Sequence, residues 1–423
     1  MYVNACTQNL REPLVDLEIF QLQMTFKDLG LLPVYTDKCE QMGYTQPTPI
    51  QEQAIPVVLQ GRDIMACAET GTGKTAAFLL PILQNIAADK NRRGTSVLIL
   101  SPTRELANQT EAACREFAPK GVSCTAIIGG AGYNKQIQAL RRGVDIIIAT
   151  PGRLIDFMDQ GMLNFSKLTC LVLDEADRML DMGFLPAIKR ISKVIPAQRQ
   201  TLFFSATMSN EIERVATPML NDPVYVEVSP RGKAAMLIEQ TAYPVAAQSK
   251  TVLLLDLLEK EDFERVLVFT RTKRGADRLA HILEARSHKS NRIHGDRSQS
   301  QREAALRSFK SGHTSILVAT DVAARGIDID SVSHVINYDI PEVAEDYVHR
   351  IGRTGRAGKA GRAITLFTIA EEHSMRAIEK LTGEKVERVF HPEFGGQMLA
   401  SSTAVKAAPG KKNFRQFRPR RYR

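Results

Sequence analysis

The sequence predicts an α/β fold: two tandem domains, each a doubly wound parallel sheet, with strand ends facing across a cleft and a disordered basic C-terminal tail beyond. Three observations predict it. Short Val/Ile/Leu runs alternate with amphipathic stretches, the pattern of parallel sheets covered by helices. A turn-rich charged stretch, Val228-Ser229-Pro230-Arg231-Gly232-Lys233, divides that alternation in two. The 423 residues suffice for two to three ordinary domains.

Residues 1–23 precede the pattern and read as a leader, a poorly conserved arm or an artefact of start assignment. The first domain is placed at 24–228, with strands at Asp63–Cys67, Val97–Leu100, Ile146–Ala149, Leu171–Leu173 and Thr201–Phe204. A linker follows at 229–236, then a second domain at 237–390 with strands at Val266–Phe269, Asn291–Ile293, Ile316–Ala319, His334–Tyr338 and Ala363–Phe367. Polar clusters follow these runs, among them Gly71-Thr72-Gly73-Lys74, Thr150-Pro151-Gly152-Arg153, Asp174-Glu175 and Thr320-Asp321. One such cluster could be a plain helix cap. Their recurrence at strand after strand marks the ligand side of both sheets, because open α/β sheets bind at their carboxyl ends.

Residues 391–423 form the tail, and from Phe394 onward it has no Asp or Glu. Its Lys406, Lys411, Lys412, Arg415, Arg418, Arg420, Arg421 and Arg423 supply eight of the net nine positive charges. Such a composition cannot bury a core. Phe414, Phe417 and Tyr422 between the cations favour single-stranded nucleic acid over a merely solvated tail. Hydrophobic content is 43% with no Trp, and no apolar stretch nears the roughly 20 residues of a membrane span. With no signal-peptide core at the start, the expected location is cytoplasmic and the expected state a monomer. The six cysteines lack C-x-x-C spacing and read as buried free thiols.

Two motifs carry chemistry. A glycine-rich turn, Ala68 to Thr75, follows the first run, and its backbone N–H groups, Lys74 and the Thr75 hydroxyl suit phosphate and Mg²⁺. The usual pattern has glycine where Ala68 stands. Asp174 and Glu175 follow a neighbouring strand and supply what a metal and an attacking water need. Adjacent carboxylates on a strand point to opposite faces, which suits two distinct roles. Alone, the acidic pair reads as a surface turn; with the phosphate loop it specifies a nucleoside-triphosphate hydrolase.

From Phe26 to Arg356 the chain resembles the DEAD-box RNA helicase family. The resemblance rests on G-Y-T-Q-P-T-P-I-Q (43–51), A-E-T-G-T-G-K-T (68–75), P-T-R-E-L-A (102–107), the Gly129-Gly130 doublet, T-P-G-R (150–153), D-E-A-D (174–177) and S-A-T (205–207). It continues in V-F-T-R-T-K (268–273), Q-S-Q-R (299–302), A-T-D-V-A-A-R-G-I-D (319–328) and H-R-I-G-R-T-G-R (349–356). That family has alanine at position 68. D-E-A-D-R-M-L-D-M-G-F and V-L-V-F-T-R-T-K are most similar to the bacterial RhlE type. The one departure noted is the turn at Ser287-His288, which lacks an expected glycine.

The resemblance implies RecA-like domains, ATP and Mg²⁺ as cofactors, and RNA as partner. Gln51 selects adenine, with Tyr44 as stacking ring and Phe26 in support. Thr70, Gly71, Thr72, Gly73, Lys74 and Thr75 hold the phosphates; Asp174 and Thr75 hold the metal, partly through water; Glu175 is the base. Arg353 and Arg356 are arginine fingers on the opposite domain, although Arg350, Arg353 and Arg356 alone could be a basic surface helix. Gly326 and Asp328 face the nucleotide from that side. Asp177, Ser205, Thr207 and His349 link the walls. Arg104, Gly130, Thr150, Arg153, Arg302 and Thr320 hold the RNA backbone, which positions without reading sequence. The implied function is ATP-dependent closure on RNA with local unwinding of short duplexes. An ATP-gated RNA clamp or scaffold in a larger complex is the alternative, with protein partners in RNA degradation or ribosome assembly. A DNA helicase of the same superfamily is disfavoured by the Gln51 motif and the D-E-A-D spelling.

Overall fold

A computed structural model describes residues 24–68, 71–89, 94–228, 238–260, 263–324, 332–355 and 360–394. The leader 1–23, the linker 229–236 and the tail from 395 onward lie outside them.

The first sheet comprises β1 (Ile64–Cys67), β2 (Val97–Leu100), β3 (Cys124–Ile127), β4 (Ile146–Ala149), β5 (Cys170–Leu173), β6 (Gln200–Ser205) and β7 (Val224–Glu227). The second comprises β8 (Ile238–Pro244), β9 (Val266–Phe269), β10 (Ser290–Ile293), β11 (Ile316–Ala319), β12 (His334–Asn337), β13 (Gly361–Phe367) and β14 (Glu387–Arg388). Their orders are β3-β4-β2-β5-β6-β1-β7 and β10-β11-β9-β12-β13-β8-β14, and every recorded pairing is parallel.

Alternation within the strands builds the cores. Ile64, Ala66, Val97, Ile99, Val172 and Phe204 pack on one face of the first sheet, and Met65, Leu98, Leu100, Leu171, Leu173 and Phe203 on the other. In the second, Val266, Val268, Ile316 and Val318 face one layer, and Leu267, Phe269, Leu317 and Ala319 the opposite one. Burial on both faces is why these strands read as unbroken apolar runs.

Four strands were not expected. β3 is a short edge strand with a threonine, β7 an edge strand exposed at Tyr225, and β14 has two residues. β8 reads Ile-Glu-Gln-Thr-Ala-Tyr-Pro and mixes buried with exposed positions. Polar or brief edge strands give no apolar run to detect.

Cys39, Cys67, Cys114, Cys124 and Cys170 are buried free thiols, as expected; Cys6 lies outside the described residues. Among the described residues no helix is long and apolar enough to cross a membrane. Ser287 has φ 64. Its N–H donates to Glu284 O at 3.0 Å and the His288 N–H to Leu283 O at 3.0 Å, closing helix Lys273–Ala285 with the double bond that favours glycine at this position.

Candidate functional site

Strand order divides each sheet into two working halves. In the first, β1, β5 and β6 are consecutive, so Lys74, Asp174 and Ser205 emerge side by side. Arg104, Gly130, Thr150 and Arg153 follow β2, β3 and β4 on the other half. The second sheet repeats the division. Arg302 and Thr320 follow β10 and β11, and His349 and Arg353 follow β12.

The phosphate loop ends at helix Lys74–Ala88, whose fifteen residues set an N-terminus toward the ligand side. Gly71 (φ 88) and Gly73 (φ 94) adopt left-handed backbone that only glycine enters easily. A Cβ at Gly73 would overlap the Gln51 side chain. Lys74 is buried and donates from Nζ to Ala68 O at 2.9 Å, while the Ala68 N–H donates to Ser205 O at 2.9 Å. Thr75 is half-buried one residue on. Gln51 sits in the first turn of helix Pro49–Leu59. Its Oε1 accepts from the Thr48 N–H at 3.0 Å and its Nε2 donates to Gly73 O at 3.1 Å, tying this turn to the loop. Tyr44 is exposed, with its ring 6.3 Å from Phe117, whereas Phe26 lies in the core. Thr70, Gly326, Asp328 and Arg356 lie outside the described residues.

The two carboxylates are not on a strand. β5 ends at Leu173, and Glu175 has φ 52, a left-handed turn that separates the side chains where pleating was expected to. Strained backbone of this kind costs of order 1–3 kcal/mol and clusters at functional sites. Burial, then the neighbouring Glu175, push the Asp174 carboxyl up to about 7, against the pull of Lys74 and Arg178. Burial also disfavours the Glu175 carboxylate, but Arg178, Lys74, Arg353 and His349 together hold it below its ordinary value. Two of those four, Arg353 and His349, come from the second domain. Asp177 Oδ2 accepts the Ala206 N–H at 3.1 Å, joining the acidic turn to the Ser205–Thr207 turn. Ser205 is fully buried and Thr207 half-buried.

Arg350 belongs to helix Ala344–Ile351, which ends at Gly352. It is not a surface cation. Its guanidinium meets both Asp321 oxygens at 2.5 and 2.7 Å and donates to Asn337 Oδ1 at 3.1 Å and Asp339 O at 2.7 Å. Arg353 follows the helix, also buried.

On the other half, a Cβ at Gly130 (φ 71) would overlap Arg104 Nη1, so the glycine allows that close approach. Arg153 lies over the Tyr133 ring at 5.2 Å, and Thr150 and Thr320 are buried at their strand ends. Arg302, expected at the RNA backbone, also meets the first domain. Its Nη2 lies 3.0 Å from Glu105 Oε2, and Gln299 Nε2 donates to Glu105 Oε1 at 3.2 Å, so this cluster joins the two domains. Sequence reasoning gave Glu105, Gln299 and Arg178 no role. Glu105 stands in the first turn of helix Arg104–Phe117, where an acid is accounted for by the helix dipole.

A phosphate loop and carboxylate turn on one parallel sheet, faced by buried arginines from a second, define a P-loop nucleoside-triphosphatase with two RecA-like domains. The DEAD/DEAH box helicase family matches residues 48–215, and the helicase conserved C-terminal domain matches residues 249–358. The chain is 41% identical over 398 residues to the ATP-dependent RNA helicase CshA of Listeria monocytogenes, covering 93% of this chain and 76% of that protein. It is 44% identical over 372 residues to the ATP-dependent RNA helicase DeaD of Klebsiella pneumoniae, covering 87% of this chain but only 58% of that protein. Among solved structures, Dbp5 of S. cerevisiae bound to RNA and ADP BeF3 is similar with a TM-score of 0.79 and 30% identity, covering 90% of this chain and 100% of that one. The chain belongs to the DEAD-box ATP-dependent RNA helicase family.

Proposed function

We infer that the protein is an RNA-dependent ATPase that couples ATP binding and hydrolysis to closure on RNA, local strand separation and ribonucleoprotein remodelling. One observation carries this reading: Glu175 of the first wall lies within the field of Arg353 and His349 of the second. In this reading Glu175 takes a proton from water as the resulting hydroxide bonds to the γ-phosphorus and the bond to the β-phosphate oxygen breaks. Lys74 and Arg353 stabilise the charge on the phosphoryl oxygens.

A metal fits these residues. Asp174 is a buried carboxyl lifted by burial and by its acidic neighbour, so its charged form needs a further cation. Mg²⁺ in such sites is held by one or two carboxylates together with substrate phosphates and water, which suits the residues here. Mg²⁺ there would neutralise phosphate charge; Asp174, through water, and Thr75 would hold it.

RNA backbone would run over Arg104, Gly130, Thr150, Arg153, Arg302 and Thr320, the halves of both sheets away from the nucleotide. We also propose a monomer in the cytoplasm, with RNA-degradation or ribosome-assembly partners. The RhlE-like placement rests on the two motif spellings given above.

Glu175→Gln tests the reading. The variant should bind ATP and RNA and accumulate a closed complex, with turnover slowed at least a hundredfold, the scale of a lost general base. Hydrolysis near the parent rate would remove Glu175 from its role.

A further inference from the structure

Arg178 is the bulkiest of the fully buried side chains described, 1% exposed. Its Nη1 donates to Glu175 Oε2 at 2.7 Å, three residues back, and both side chains are almost wholly shielded from water. Its Nη2 has no hydrogen-bond partner among the described residues. On stability grounds this is a poor use of an interior position, since apolar side chains of similar volume commonly do as well as a buried ion pair. Glu175 meanwhile hangs from a left-handed residue at the start of the short helix Ala176–Asp181. Without a tether, its three side-chain torsions could carry the carboxylate away from the nucleotide.

We propose that Arg178 is a positioning residue for hydrolysis: by gripping one oxygen of Glu175, it fixes the plane of that carboxylate and aims the other oxygen at the attacking water. This rests on the role for Glu175 given under Proposed function. Arg178 and Glu175 share one wall, so the grip exists before closure, whereas Arg353 arrives with the second domain. Arg178 therefore contributes to the chemical step and leaves ATP affinity, RNA affinity and closure alone.

Arg178→Lys keeps the buried charge but loses the planar two-pronged donor. In the full-length protein, kcat for RNA-stimulated ATP hydrolysis should fall about 10- to 100-fold, the scale of a roughly 1 Å misplacement. The KM for ATP and the RNA affinity with a non-hydrolysable analogue should stay within about twofold. A structural role would move all of these together. In a Glu175→Gln background the same substitution should change the residual rate less than about twofold, because groups acting as one unit are not additive. Should the lysine variant not fold, Arg178→Gln in the Glu175→Gln background leaves no buried charge unpaired and supplies that comparison. An unchanged kcat in Arg178→Lys, or an equal fold loss in both backgrounds, would overturn the proposal. Near-normal hydrolysis by Glu175→Gln alone would instead overturn the role of Glu175 on which it rests.

Discussion

Replacing Glu105 with glutamine removes one charge from the cluster that joins the two domains. Glu105 and Arg302 are both buried and 3.0 Å apart, with Gln299 bonded to the other carboxylate oxygen at 3.2 Å. Breaking a buried pair in a permanently folded core costs about 3–5 kcal/mol, because the remaining charge is left dry. In the proposed cycle the domains part and both groups regain water, so the cost falls on the closed state alone. The glutamine keeps an acceptor for Gln299, which lowers the expected penalty to about 2–3 kcal/mol, or roughly 30- to 150-fold in the closure equilibrium. The assay is RNA affinity in the presence of a non-hydrolysable ATP analogue, compared with affinity without nucleotide. The first should weaken by about that factor and the second by less than twofold. Thermal stability of residues 24–228 alone should barely change. Equal weakening with and without nucleotide would assign Glu105 to the RNA path; no weakening would mean the cluster does not hold the closed state.

Ser287→Gly should stabilise the second domain by about 0.5–1 kcal/mol, as the left-handed position that costs serine roughly 1–2 kcal/mol is relieved and part is returned as unfolded-chain entropy; a lower melting temperature would contradict the cap described at φ 64. His334 opens β12, buried against Phe263, and burial followed by the neighbouring Arg362 depresses its pKa to about 4, opposed by Glu239. Its folded-state value lies below the unfolded value of about 6.5, so the unfolded chain binds the extra proton first and stability is lost as pH falls through that window. At pH 5 the loss is about 2 kcal/mol, and denaturant melts of His334→Gln should show an acid limb shallower by that amount; an unaltered limb would show that the ring is protonated without cost.

Strands buried on both faces were legible to the residue: Val97–Leu100, Ile146–Ala149, Val266–Phe269 and Ile316–Ala319 appear at the boundaries their apolar runs suggest. β8 was not, since its pairing with β13 is set by tertiary contact across more than a hundred residues and its own sequence is half polar. The phosphate loop and the acidic turn were legible because their chemistry is local. The left-handed backbone at Glu175 was not, because a glutamate there is unfavourable except where surrounding packing imposes it. Glu105 was hidden for a different reason. Its partner Gln299 lies 194 residues away, and nothing in either segment specifies which surfaces meet. Local motifs report local chemistry, and the contacts that make two domains one machine emerge only from the packing.

The central claim is that one nucleotide site has two walls, and Arg353→Ala tests it most directly. Arg353 is buried, and its charge favours the Glu175 carboxylate from the opposite domain. RNA-stimulated ATP hydrolysis by the full-length protein, measured at saturating ATP and RNA, should fall by about 10³-fold or more, the range of a lost arginine finger. RNA binding without nucleotide should stay within about twofold. A rate within tenfold of the parent, with nucleotide-free RNA binding intact, would mean that the first wall hydrolyses ATP alone.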